Sequence, residues 1–253
     1  MIKKNLLSFN FNSWMPVSKG MSYKKRIKRF AGYIRSKYGN AAVIAIQEFI
    51  SGGGKYLNDL YEAFGKDYYI IVPPSFDYRA HPRSLITVTL LKKSIIERYE
   101  VKDLGKCLPN RISYIVAWVE GQPWTIMNIY MVQTANFAGK PDWYVSLRKK
   151  LHSELWEEVI SEAVSQRGER VILLGDFQES SEGVNMQTLN EMGYKEVATG
   201  FPTVKNDFFK EWNIDHILFS QKAWSEFNPS GFTLDGDLIG ELSDHCLLAV
   251  MSA

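Results

Sequence analysis

Val171-Ile172-Leu173-Leu174-Gly175-Asp176-Phe177-Gln178 is the stretch on which the reading of this chain turns. Four branched apolar residues stand in succession without alternation, which suits a strand covered on both faces. The run stops on a glycine and a carboxylate, so a polar group is presented where the strand ends.

Other runs outward from it have the same form. Leu6-Leu7-Ser8-Phe9 leads to Asn10, and Ala42-Val43-Ile44-Ala45-Ile46 leads to Gln47-Glu48. Further runs cover 85–91, 112–119 and 125–130, the last holding Asn128 and closing on Tyr130. Asn213-Ile214-Asp215-His216 opens the strand predicted to end at 219, and Ser243-Asp244-His245 opens one over 246–251. Helical spacing falls between the runs: Ile27, Phe30, Ala31, Ile34 and Tyr38 form one apolar stripe, and Tyr144, Leu147, Leu151, Leu155 and Val159 form another. Tyr56, Leu60 and Phe64 predict a shorter helix. The glycine cluster Gly52-Gly53-Gly54 reads as a loop and is too short to act as a linker between domains. Strands outnumber helices, and two packed sheets flanked by helices fit the pattern as one domain over 1–253.

Bulk properties narrow the functions. The chain has 253 residues, 45% hydrophobic and 13% aromatic, which excludes a disordered chain. A formal charge of +2 sets up no long-range repulsion of phosphates. Eight basic residues lie within 19–37 with no acidic one: Lys19, Lys24, Lys25, Arg26, Lys28, Arg29, Arg35 and Lys37. The simple reading is the solvated face of a covering helix, and the functional one is a track for phosphates. Cys107 and Cys246 form no metal-type spacing, so a reducing compartment is expected. The opening apolar run is too short for a secretory signal or a membrane span, and a soluble, cytoplasmic protein is expected.

Acidic and amide side chains at many strand ends can converge on one face of a sandwich. Hard oxygen ligands gathered so suit Mg²⁺ or Mn²⁺, not zinc. The ordered series Ser8-Phe9-Asn10, Gln47-Glu48, Tyr130, Gly175-Asp176-Phe177, Ile214-Asp215-His216 and Ser243-Asp244-His245 resembles the signature of the endonuclease/exonuclease/phosphatase superfamily. Each motif alone is weak; six in order, each at a strand end, are specific.

The resemblance implies an α/β fold of two mainly antiparallel sheets flanked by helices, and a metal-dependent phosphoester hydrolase acting on DNA. It implies Glu48 as principal metal ligand, with Asn10 beside it and Asp244 near the same ion. Asp176 would deprotonate the attacking water, His245 would contact the scissile phosphate, and Asp215 would hold the imidazole ring. Where many members carry histidine at the end of the Trp124 strand, abasic-endonuclease-like members carry tyrosine. Tyr130 resembles that branch, although Val132 replaces the branch's usual proline. Gln178 stands where the family usually has asparagine, one methylene longer, and is expected to serve both catalysis and substrate binding. Asn128 and Arg111 are further candidates for substrate contact, and Lys140 and the loop at Asn136 could touch a backbone. His216 reads as structural, whereas His81 and His152 have no assigned partner, and the tryptophans read as core. No membrane and no obligate protein partner is implied. Two alternatives stay open: a phosphatase or phosphodiesterase of inositol phosphates or lipid headgroups, and a catalytically weak member that only binds nucleic acid.

Overall fold

A computed structural model describes residues 5–12, 21–134, 137–197, 202–204 and 212–253. In chain order its elements are β1 (Leu6–Asn10), α1 (Tyr23–Tyr38), β2 (Val43–Ile50), α2 (Lys55–Phe64), β3 (Tyr68–Ile71), β4 (Leu85–Lys92), β5 (Arg98–Lys102), β6 (Ile112–Val119) and β7 (Gln122–Tyr130). Then follow α3 (Asp142–Ser165), β8 (Val171–Asp176), α4 (Val184–Glu191), β9 (Lys195–Glu196), β10 (Asp215–Phe219), α5 (Gln221–Phe227), β11 (Pro229–Asp235) and β12 (Leu247–Ser252).

The strands form two six-stranded sheets, ordered β11-β12-β1-β2-β4-β3 and β5-β6-β7-β8-β10-β9. The pairs β1/β2 and β7/β8 are parallel, and every other paired neighbour is antiparallel. The sheets are therefore mainly antiparallel, as expected.

The unalternating runs are explained by three apolar layers. Between the sheets lie Leu6, Val43, Ala45, Ile115, Trp124, Ile126, Ile172, Leu174 and Val250. The opposite face of β1 and β2 sends Leu7, Phe9, Ile44 and Ile46 against Phe30, Ile34, Leu60 and Phe64 of α1 and α2. Likewise Met127, Ile129 and Leu173 meet Trp156, Val159 and Leu189 of α3 and α4. The result is four layers, helix-sheet-sheet-helix. Burying each such side chain contributes about 1.5–3 kcal/mol, against about 1 kcal/mol or less for a surface ion pair. Apolar contact therefore holds the layers together. At one margin, β5 exposes Arg98, Tyr99 and Glu100, as suits an edge strand.

The long helix departs from its predicted stripe. Leu155, Trp156, Val159 and Ala163 are buried, but Leu147 is 45% exposed, and Tyr144 and Leu151 are only half-buried. The cause is length. The 24 residues of α3 rise about 36 Å at 1.5 Å per residue, whereas the six residues of β8 span about 20 Å. Its first turns overhang the sheet. The glycine cluster is a tight turn into α2, with all three residues at positive φ.

The basic run resolves residue by residue; Lys19 lies outside the described residues. Lys24 pairs with Asp59 and Glu62, Arg29 with Glu241, and Lys37 with Asp235 and Asp237. Arg35 donates to the Ala63 carbonyl, and Lys25 and Lys28 are exposed. Arg26 is no surface charge. It is 1% exposed, and its Nη2 donates to the carbonyls of Phe11, at 2.7 Å, and Leu242. Its guanidinium lies 4.8 Å from the Phe11 ring centroid and 5.6 Å from that of Tyr23. Burial pulls its pKa down, so the site tolerates the charge only because these acceptors and rings surround it.

Arg26→Met should strand both carbonyls, each costing about 1–3 kcal/mol when left unpaired, while relieving part of the desolvation. We expect a net loss of about 2 kcal/mol in unfolding free energy, read by chemical denaturation. An unchanged midpoint would show that these bonds contribute nothing.

Candidate active site

Parallel pairing places the polar strand ends together. Because β1 and β2 run parallel, Asn10 pairs with Gln47. Because β7 and β8 run parallel and β10 runs opposite, Tyr130, Asp176 and Asp215 stand side by side in register. β12 runs antiparallel to β1, so the segment 243–245 that precedes it arrives at the same end.

Glu48 does not sit at a strand end. β2 continues to Ile50, and the register slips between Ile46 and Phe49, so Glu48 occupies a bulge with φ 53°. A positive φ outside glycine costs on the order of 1–3 kcal/mol and marks a functional constraint. The bulge turns the carboxylate off the pleat, where the Asn10 amide reaches Oε1 at 3.3 Å and the Tyr130 hydroxyl also bonds it. Burial raises its pKa, offset in part by His245, Asn10, Tyr130 and Arg111.

Asp176 is fully buried and heavily bonded. Asn10 Nδ2 donates to Oδ2 at 2.8 Å, the Gln178 backbone N–H to Oδ1 at 3.1 Å, and Gln178 Nε2 to both oxygens at 2.9 and 2.8 Å. The longer Gln178 side chain thus folds back on its neighbour, from a backbone at φ 53°. Burial, then repulsion from Asp215 and Glu48, pushes the Asp176 carboxyl up to about 7 against the pull of His245 and Gln178. Gly175 makes the approach possible: a Cβ there, at φ 144°, would lie 1.9 Å from the Ile129 carbonyl oxygen.

His245 Nδ1 donates to Asp215 Oδ2 at 2.8 Å, and its Nε2 lies 3.7 Å from Asp244 Oδ1. Burial alone would lower the imidazole pKa, but Asp215, Asp176 and Asp244 outweigh it and raise it to about 10. The ring is therefore a cation near neutral pH. Two further bonds fix this segment to β1: Ser243 Oγ donates to the Asn10 carbonyl at 2.7 Å and accepts from His245 N at 3.0 Å. Asn12 Nδ2 bonds Asp244 Oδ1 and its N–H donates to Asn10 Oδ1. Neither Asn12 nor Arg26 stands out in the sequence as a site residue; Asn12, two residues past the end of β1 at Asn10, is the more legible of the pair.

The residues border a cleft of about 900 Å³ whose walls include Glu48, Arg111, Tyr130, Arg148, Gln178 and His245. The Arg111 guanidinium lies 3.9 Å from the Tyr130 ring centroid. Burial and Arg111 together depress the Arg148 pKa, so two cations crowd one wall. Asn128 is not part of it. It is buried between the sheets, where it takes Gln47 Nε2 on Oδ1 at 2.8 Å and donates to Ile46, Val88 and Thr89. Its bonding capacity is spent inside, which leaves no group for a substrate. His216 is structural, with its nitrogens facing Glu196 Oε1 and the Glu179 carbonyl. His152 Nδ1 meets the Val132 carbonyl, and His81 stacks on Phe76 beside the cleft. Lys140 lies over the Tyr144 ring, and Asn136 falls outside the described residues.

Asp176, Asp215 and His245 bring one potential ligand atom each within 4.8 Å of the others. The His245–Asp215 hydrogen bond and the raised imidazole pKa argue that this trio is an ion-paired set, since a ligating imidazole must give up its charge. The set around Glu48 suits a hard cation better. Glu48 and Asp244 offer carboxylate oxygens, and Asn10 would have to turn its amide to offer one, because Nδ2 faces Glu48 and Asp176 while Oδ1 accepts from Asn12; a divalent ion would offset the repulsion between carboxylates gathered in a buried site.

No protein-family model matches the sequence, and no curated protein sequence matches it. Solved structures do. An AP endonuclease from Archaeoglobus fulgidus superposes with a TM-score of 0.69 at 14% identity, covering 98% of this chain and 99% of that one. NExo, a 3′ phosphatase from Neisseria bound to a product DNA hairpin, gives 0.68 at 16%, covering 99% of each chain. An endonuclease/exonuclease/phosphatase family protein from Leptotrichia buccalis gives 0.64 at 15%, also covering 99% of each. With the six motifs at one end of this sandwich, the chain has the fold of the endonuclease/exonuclease/phosphatase superfamily.

Proposed function

We propose that this chain is a Mg²⁺- or Mn²⁺-dependent phosphodiester hydrolase whose substrate is DNA, of the repair-nuclease kind. The observation that carries the reading is one cleft in which the buried Asp176 lies beside an imidazolium held by Asp215, with Glu48 and Asn10 adjoining. The similar structures include an AP endonuclease and NExo, a 3′ phosphatase with a product DNA hairpin bound.

Glu48, with Asn10 and Asp244 nearby, would hold the metal ion, which supplies neutralisation of charge on a phosphoryl oxygen. Asp176 takes the proton of the attacking water as the new oxygen–phosphorus bond forms and the bond to the leaving oxygen breaks. Burial and neighbouring carboxylates raise its basicity above that of a free aspartate. His245 donates from Nε2 to the phosphate, where its charge opposes the negative charge that builds in the transition state. Tyr130 stays protonated because burial raises its pKa, and its hydroxyl orients Glu48. Arg111 and Arg148 face the anionic strand. Cys107 and Cys246 are both free thiols. No helix among the described residues is long and apolar enough to cross a membrane.

EDTA should abolish cleavage of plasmid or abasic duplex, and added Mg²⁺ or Mn²⁺ should restore it. Glu48→Gln should raise the metal concentration needed. Full activity in EDTA overturns the metal assignment, and hydrolysis of inositol phosphates or sphingomyelin without DNA cleavage overturns the substrate.

Tyr130→Phe should cut kcat at least about tenfold, the low end for losing one positioned hydrogen bond, with the fold intact by circular dichroism. Wild-type turnover would reduce Tyr130 to a packing residue.

Helix α1 lines none of the cleft; three of its seven basic residues are ion-paired, and two more donate to carbonyls. Replacing Lys25 and Lys28 by alanine should therefore leave the salt dependence of DNA binding unchanged. A slope flatter by about 0.9 per lysine would instead assign each a phosphate contact.

A further inference from the structure

The overhanging turns of α3 carry a large ring and an aliphatic side chain that the described residues leave exposed. Trp143 is 68% exposed, and Leu147, one turn on, is 45% exposed. Tyr144, next to Trp143 in the chain, lines the cleft. The Trp143 and Tyr144 ring centroids are 5.9 Å apart at 86°, and those of Phe137 and Tyr144 are 6.1 Å apart at 83°. Three rings thus stand edge to face, with Trp143 largely exposed at the end of the group. Helix packing does not explain Trp143, because the buried stripe of α3 begins only at Leu155.

The surroundings are cationic. Lys140 Nζ is 5.9 Å from the Tyr144 centroid, Arg148 is on the cleft wall, and Lys149 is exposed. Lys150 pairs with Glu154, and Asp142 is the acidic residue in the first turn of α3. Exposed aromatic faces beside positive charge, continuous with a phosphodiester cleft, match a strand with anionic phosphates and free base faces. A base within a duplex is already stacked on both faces and cannot use them.

We propose that Trp143, supported by Tyr144, Phe137 and Lys140, is a stacking platform for unpaired bases of the strand that leaves the cleft, so that the preferred substrate carries a single-stranded stretch beside the bond that is cut. This rests on the reading of the cleft as a nuclease site and adds the class of nucleic acid. A second copy of the chain is the competing occupant, since an exposed Trp–Leu pair could also seat against itself.

The test uses the full chain with three DNAs: a single strand, a blunt duplex, and a duplex with an unpaired extension. Fluorescence anisotropy in EDTA reads binding without cleavage, and turnover is read separately in Mg²⁺. Trp143→Ala should weaken binding to the single strand and the extended duplex about tenfold or more, within the range for losing one base–aromatic stack. Trp143→Phe, which keeps an aromatic face, should recover some of that loss. The loss should be confined to DNAs with unpaired bases, and sedimentation should show the same mass for wild type and variants. Equal loss on all three DNAs overturns the platform, as does a dimer that Trp143→Ala dissolves. If the wild type binds and cuts DNA and Trp143→Ala matches it throughout, the platform fails and the nuclease reading stands. If the wild type neither binds nor cuts any of the three, both fail.

Discussion

The Asn10 amide lies 2.8 Å from a carboxylate oxygen of Asp176 and 3.3 Å from one of Glu48, and so joins the ends of two sheets whose ladders are separate. Carboxylates brought this close repel one another, and burial removes the water that would screen them. The fold answers the strain with donors that cannot leave. The Gln178 backbone N–H, the Asn10 amide and the His245–Asp215 pair are anchored in strands or in loops bonded to strands. Even so, the Asp176 carboxyl stays at about 7. Holding these carboxylates together depends on the two parallel pairs that bring the strand ends to one place.

Support reaches further back than the cleft. Arg26 binds the carbonyls of Phe11 and Leu242, one residue beyond Asn10 and two residues before Asp244. Ser243 ties the same two segments from the other side through the Asn10 carbonyl. A charge buried without a carboxylate partner is expensive, and polar loops alone would not keep it. The aromatic rings of Phe11 and Tyr23 complete its surroundings, so the segments carrying Asn10, Asn12 and Asp244 are fixed by apolar packing as much as by hydrogen bonds.

These details separate what was legible in the sequence from what was not. Asn10, Asp176, Asp215 and His245 could be read because each closes or opens an apolar run, and a run's end is visible in one dimension. Glu48 was read as a strand end for the same reason; the strand runs on to Ile50, and only pairing with β4 reveals the bulge. Asn128 shows the limit of the rule. It lies inside a run, and its polarity serves Gln47 and two carbonyls of the facing sheet, contacts that no local pattern encodes. Arg26 was grouped with its basic neighbours because charge is a local property and burial is not. The α3 stripe failed in its first half because the length of the underlying sheet sets where a helix stops being covered. Short or edge strands such as β3, β5 and β9 carry too few apolar residues to stand out.

Gln178 brings these threads together. A carboxylate offers about four lone-pair positions, and on Asp176 four donor contacts already occupy them. To accept a proton from water, Asp176 must release one. The backbone N–H of Gln178 is fixed, and Asn10 is fully buried between strands. The Gln178 amide, by contrast, shares one nitrogen between both oxygens and lies on the cleft wall, where a substrate can compete for it. Its side chain folds back on Asp176 from a backbone in the left-handed region. In the proposed reaction the residue that departs from the family pattern is therefore the donor on Asp176 that a substrate can most readily displace.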